Sequence, residues 1–270
     1  MQPAWLNDID GDGINDLLIS THEAAVQSDR ALVIAAGSDG TIPDEIGFSD
    51  LGQTTGYRIN VPTGSEAYTA RNAGDFNGGG RSDLLILRTR FSASNLEMVL
   101  GENLFASSRT VTLDSLPASQ SMPISAGGGS WLVQDAWFGV GQLNGDGFTD
   151  LVLNANVQMS GISLPAVAVF YGRDLAPPTL AIRDIDGDNG RFFTAPVSGQ
   201  GSPCGARFAG IAGDLDNNGR DDLFALETDS GDARDRICFN TGPEVFGAAF
   251  NDEIASATVE IEVIGRNDPP

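Results

Sequence analysis

Oxygen-bearing side chains recur at alternate positions in four short runs of this chain, and each run closes on an aspartate followed by an apolar stretch. The copies read Asp8-x-Asp10-x-Asp12-Gly13-x-x-Asp16, Asp75-x-Asn77-x-Gly79-Gly80-x-x-Asp83, Gln142-x-Asn144-x-Asp146-Gly147-x-x-Asp150 and Asp214-x-Asp216-x-Asn218-Gly219-x-x-Asp222. Such spacing suits a hard cation of calcium's size, which takes six to eight oxygens at roughly 2.3–2.6 Å, more than one side chain can supply. Positions 1, 3 and 5 of a tight loop point inward, position 7 offers its backbone carbonyl, and the carboxylate at position 9 returns from the next strand. Glycine at position 6 permits the positive φ that wrapping around an ion demands.

The expectation is therefore up to four Ca2+ sites. The first takes Asp8, Asp10, Asp12, the Ile14 carbonyl and Asp16. The second takes Asp75, Asn77, Gly79, the Arg81 carbonyl and Asp83, with no side-chain oxygen at Gly79. Gln142, Asn144, Asp146, the Phe148 carbonyl and Asp150 make the third, and Asp214, Asp216, Asn218, the Arg220 carbonyl and Asp222 the fourth. Fewer charges offset ion dehydration less, so the first and fourth sites are expected to bind most tightly, the third less and the second least. An EF-hand is excluded, because position 12 holds Ile19, Ile86, Leu153 and Ala225 where that loop needs a bidentate Glu.

These loops require strands on both sides to hold them. Their first positions lie 67, 67 and 72 residues apart, a period that signals an array of supersecondary units. Each unit carries about four β-runs. In the last, Arg207 to Leu215 leads into the loop, Leu223 to Glu227 and Arg236 to Asn240 follow, and Thr258 to Ile264 forms the outer run. Inner runs elsewhere are Leu32 to Ala36, Met98 to Leu100 and Val167 to Tyr171. Outer ones are Tyr57 to Val61, Thr110 to Leu113 and Phe192 to Ala195. Sustained helical periodicity is absent, so the fold class is all-β. Four-stranded units in series predict the blades of a full or partial β-propeller.

The runs Phe138-Gly-Val-Gly-Gln-Leu-Asn-Gly-Asp-Gly-Phe-Thr-Asp-Leu-Val-Leu153 and Ala212-Gly-Asp-Leu-Asp-Asn-Asn-Gly-Arg-Asp-Asp-Leu223 resemble the FG-GAP repeat of integrin alpha-chain propellers and their bacterial relatives. Asp184-Ile-Asp-Gly-Asp-Asn-Gly-Arg-Phe-Phe193 and Ser49-Asp-Leu-Gly-Gln-Thr-Thr-Gly-Tyr57 are similar to the interblade turns of that family. The resemblance covers nearly the whole chain. It implies a metal in the loop between the first and second strands of each blade, at the same residues that the spacing selects. It also implies seven blades where about four are visible, which leaves ring closure within this chain open; residues 1–250 read as FG-GAP-type blades, and Met1 reads as the start of a fragment rather than of a processed chain, because Asp8 falls mid-repeat with one short strand before it. Residues 251–270 read as a closing strand and linker; Ala257 to Pro270 looks like the end of a bacterial cadherin-like or VCBS module, and equally like a final strand with a Pro-rich tail.

Composition bounds the function. The chain has 270 residues and a formal charge of −22, which disfavours nucleic acid and anionic lipid as partners. It contains no lysine, so Schiff-base and phosphate-loop lysine chemistry are excluded. No run of 18 apolar residues is present to span a membrane. Cys204 and Cys238 are compatible with one disulfide, and the spacing leaves their pairing open. The acidic turn Asp184, Asp186, Asp188 lacks a closing carboxylate and reads as solvated; the lone His22 reads as a loop residue, and Trp131, Trp137, Phe138 and Tyr171 as packing residues.

The function expected on these grounds is a non-catalytic, calcium-stabilised extracellular or cell-surface module. It would bind a protein or glycan on a propeller face within an adhesion protein that carries neighbouring domains. One alternative is a secreted polysaccharide-active protein, a lyase or a hydrolase companion, in which calcium and Arg71, Arg81, Arg88 or Arg90 neutralise an acidic sugar, and another is a purely structural spacer with no ligand of its own.

Overall fold

Residues 2–20, 30–35, 45–46, 56–61, 67–90, 93–102, 104, 108–125, 138–159, 162–174, 179–194, 208–226, 237–238 and 258–259 are described by a computed structural model. Short runs of Leu, Ile and Val after each loop become strands, and no α-helix occurs among the described residues. The first unit comprises β1 (Gln2–Trp5), β2 (Leu17–Ser20), β3 (Arg30–Ala35) and β4 (Tyr57–Val61), an antiparallel meander. The second unit runs through β5 (Ala67–Gly74), β6 (Asp83–Arg90), β7 (Ala93–Val99), β8 (Thr110–Thr112) and β9 (Ser121–Ser125). In the third are β10 (Phe138–Gly141), β11 (Asp150–Met159), β12 (Ile162–Phe170), β13 (Leu180–Ala181) and β14 (Gly190–Thr194). The fourth contributes β15 (Phe208–Gly213), β16 (Asp222–Leu226), β17 (Ile237–Cys238) and β18 (Thr258–Val259).

The strand order corrects one expectation. Thr110 to Leu113 was to be the outer strand of the second unit, but β8 pairs in parallel with β4 of the first, giving the order β1-β2-β3-β4-β8. The fourth strand of the second unit is β9, which pairs with β7. The third unit repeats the device: β13 pairs in parallel with β9 of the second, a 3-10 turn over Ile182–Asp184 redirects the chain, and β14 then joins β12. Each outer edge in the first two units is thereby covered by a strand from the next unit, which removes an open row of backbone donors and acceptors. The described sheets are open, with none closed on itself.

Sheets pack in sequence order, and alternation decides which core each side chain enters. Leu84 and Ile86 pack with Leu6, Ile9 and Leu18 between units one and two. Leu85 and Leu87 point the other way, into the core shared with Leu151 and Leu153 of unit three. Val152, Val167 and Val169 then meet Leu223 of unit four. A strand buried on both faces needs an unbroken apolar run, and Leu84-Leu85-Ile86-Leu87 is one. Tyr171 packs against the third core, as the packing reading requires. Asp184, Asp186 and Asp188 are exposed on their turn. His22, Trp131, Trp137 and Cys204 lie outside the described residues.

Candidate metal loops

All four predicted loops adopt one hydrogen-bonded form. The position-1 side chain accepts from the position-6 N–H in every copy: Gly13 to Asp8 at 2.7 Å, Gly80 to Asp75 at 2.9 Å, Gly147 to Gln142 at 3.1 Å and Gly219 to Asp214 at 2.9 Å. Position 3 accepts from the N–H of position 5, at 3.2 Å for Asp10, 3.0 Å for Asn77 and 3.1 Å for Asn144 and Asp216. Position 5 accepts from position 7 at Asp12, Asp146 and Asn218, and Gly79 lacks the oxygen to do so. Position-6 glycines have φ between 78° and 96° with nothing within 4 Å of where a Cβ would stand, so their requirement is conformational.

The closing aspartates are buried, at 1% exposure for Asp16 and 0% for Asp83, Asp150 and Asp222. One oxygen of each accepts from the position-2 N–H: Ile9 and Phe76 at 2.9 Å, Leu143 and Leu215 at 2.7 Å. The second oxygens differ. Asp83 Oδ1 accepts from Gly101 N–H at 2.8 Å and Asp150 Oδ1 from Gly172 N–H at 2.9 Å, each just past the end of the following strand. Asp16 Oδ1 is buried with no hydrogen-bond partner among the described residues, and so is Asp75 Oδ1. Burial pushes the Asp16, Asp83 and Asp150 carboxyls up to about 7, against the backbone N–H bonds that favour their charged forms. Asp10, Asp12 and Asp8 add to the rise at Asp16.

Two of the four loops bring three carboxylates together. One ligand oxygen each from Asp8, Asp10 and Asp16, and likewise from Asp214, Asp216 and Asp222, lie within 4.8 Å of one another, so either group could hold a metal ion. The donors are all hard oxygens, and Asp16 Oδ1, without a partner among the described residues, is a buried acceptor that a cation would satisfy, so the first loop fits such an ion. Tyr57 orients this loop from the outer strand by donating its hydroxyl to Asp10 Oδ2 at 2.9 Å. Burial, then that bond, push the phenol up to about 12, and the Arg109 guanidinium lies 5.0 Å from its ring centroid.

The other two loops lack that convergence. In the third, the Gln142 amide donates to the Phe148 carbonyl and the Asn144 amide to Asp146 Oδ2 at 2.8 Å, so side-chain N–H groups occupy oxygens expected to ligate. The second has Asp75 and Asp83, the latter with both oxygens engaged by backbone N–H groups. Glu102 stands beside Gly79, its Oε2 3.3 Å from where a Cβ would lie, and no local pattern could have linked the two.

A further relation, absent from the single-loop pattern, joins the loops to one another. The position-8 N–H of each donates to the position-1 carbonyl of the one before: Ser82 to Asp8 at 3.0 Å, Thr149 to Asp75 at 3.0 Å and Asp221 to Gln142 at 2.7 Å. The position-7 side chain lies over position 4 of the preceding loop, Arg81 on Gly11, Phe148 on Gly78 and Arg220 on Gly145. Position 4 has positive φ throughout, and the loop with no successor among the described residues has Asn217 there, the only non-glycine of that conformation among them.

No protein-family profile matches the chain, and no curated protein matches it in sequence. Among solved structures it is similar to Bacillus licheniformis rhamnogalacturonan lyase PL11 at 14% identity and a TM-score of 0.40. The match covers 82% of this chain and 40% of that one. A likeness of that size carries no argument about activity. No helix among the described residues is long and apolar enough to cross a membrane.

Proposed function

We propose that this chain is a calcium-stabilised, non-catalytic propeller module of FG-GAP type that acts outside the cell, presenting a face of its blades to a protein or glycan. One observation carries the calcium reading: the first loop gathers Asp8, Asp10 and Asp16 around a buried carboxylate oxygen that has no donor among the described residues. Asp214, Asp216 and Asp222 supply the second strong site. The propeller reading is supported by four units that pack in chain order with their loops linked in one direction. The unfolded chain has no such site, so ion binding free energy adds to folding free energy.

Isothermal titration of calcium into chelator-treated protein tests the first half. Two tight sites are expected, one lost in Asp16→Asn and the other in Asp222→Asn; an absence of binding heat refutes the calcium reading. For the second half, the protein is screened on immobilised glycans and extracellular proteins, and on acidic polysaccharides with detection of unsaturated products. Saturable binding without product supports the module, whereas product release that Asp16→Asn abolishes would make it an enzyme.

A further inference from the structure

A side chain outside a ligand set can fix a ligand in place, and cross-strand register picks out one position in each unit that is placed to do so. Tyr57 pairs with Ile34, which pairs with Leu18, the second residue after the closing Asp16. The same position in the second unit is Met122, through Met98 and Leu85, and in the third it is Arg191, through Val169 and Val152. Of the three, Tyr57 donates to position 3 of its own loop, at 2.9 Å to Asp10 Oδ2. Met122 is a buried thioether with no proton to donate, and Arg191 gives its side chain to the Tyr171 phenol. The loops divide the same way: among the described residues the first gathers three carboxylates, whereas the second and third do not.

Asp10 is held through both oxygens, Oδ1 by the Asp12 N–H at 3.2 Å and Oδ2 by the phenol. The phenol ring packs against the core between units one and two and is fixed from the second unit. Arg109, on the segment leading into β8, has its guanidinium 5.0 Å from the ring centroid and donates to the Gly56 carbonyl at 3.4 Å, while its own carbonyl accepts from Arg58 N–H at 2.8 Å. We infer that Tyr57 is the positioning residue of the first calcium site, its hydroxyl setting the ion affinity of that loop through Asp10 and its ring tying the site to the second unit. The inference rests on the calcium reading proposed above. A bond made from outside the ligand set holds the carboxylate in place before an ion arrives, and losing such a partner lowers metal affinity about 10- to 100-fold.

Calorimetric titration of calcium into Tyr57→Phe, which keeps the ring and removes the hydroxyl, tests this. Against wild type, one of the two sites is expected to weaken about tenfold or more and the other to stay unchanged. In an Asp222→Asn background, which leaves the first site, the loss should persist; in an Asp16→Asn background, which leaves the fourth, Tyr57→Phe should change nothing. Thermal unfolding separates positioning from packing, because the midpoint of Tyr57→Phe is expected to fall further in calcium than in EGTA. A first site as tight as in wild type, an equal loss at both sites, or a midpoint lowered as much in EGTA as in calcium would each overturn the inference and leave the calcium reading standing. Absence of binding heat in wild type would overturn both.

Discussion

Ser82 donates its backbone N–H to the carbonyl of Asp8 at 3.0 Å, so the residue that opens the first loop also anchors the last turn of the second. Asp83, the next residue, closes that second loop from the first position of β6. Thr149 with Asp75 and Asp221 with Gln142 repeat the link, and the four loops form one hydrogen-bonded series. The geometry brings position 7 of one loop onto position 4 of its predecessor, where positive φ favours glycine throughout and, at Gly78, the Phe148 ring also leaves no room for a Cβ.

Glycine substitutions separate these two demands. Gly80→Ala meets only the φ of 78° and is expected to cost about 1 kcal/mol. Gly78→Ala has a φ of 71° and also places a methyl group into the Phe148 ring, for an expected cost of about 2–4 kcal/mol. Urea unfolding in chelator measures both, and equal costs would contradict the stacked-loop account.

The closing aspartates brace the fold independently of any ion. Asp83→Ala leaves the buried N–H groups of Phe76 and Gly101 without acceptors and is expected to cost about 3 kcal/mol or more. Asp83→Asn, which keeps one carbonyl oxygen, is expected to lose roughly half as much. Chemical denaturation in excess chelator isolates this contribution from metal binding.

Much of this was legible in the sequence, where the information is local. Alternating oxygens, position-6 glycines and the apolar runs after each loop fixed the loop positions, and the predicted outer run Tyr57 to Val61 coincides with β4. Partner choice across long separations was not legible. Thr110–Thr112 has the alternation of an outer strand, yet nothing within it specifies pairing with Arg58–Asn60 of the preceding unit. The second acceptor role of Asp83 and Asp150 depends on Gly101 and Gly172, 18 and 22 residues downstream. Position 4 carried a readable signal, Gly11, Gly78, Gly145 and Asn217, all residue types that tolerate left-handed backbone, but the reason for it lies on the neighbouring loop.

Acid dependence follows from the carboxyls of Asp16, Asp83 and Asp150, whose folded values of about 7 stand above the ordinary 3.8. Without metal, the folded state holds more protons than the unfolded one between about pH 4 and 7. The stability these groups contribute is therefore fully present below about pH 4 and is lost as pH rises through 7. In chelator, unfolding midpoints are expected to fall from pH 5 to pH 8 as these groups ionise. Calcium affinity moves the opposite way, weakening on acidification because the ligands must be ionised.

The third loop's amides satisfy its own oxygens, and replacing them reverses that. Gln142→Asp with Asn144→Asp removes the donors to the Phe148 carbonyl and Asp146 and supplies two carboxylates. Calorimetric titration is expected to show one calcium more per chain than wild type. An unchanged stoichiometry would assign the third loop a purely structural role.

Thermal unfolding with saturating calcium and with excess EGTA tests the central claim most directly. An ion present at a thousandfold excess over its dissociation constant adds about 4 kcal/mol per site, so the account predicts a midpoint higher by about 10 °C or more in calcium. The gain should shrink in Asp16→Asn and again in the double variant with Asp222→Asn. Identical midpoints in calcium and in EGTA would contradict it.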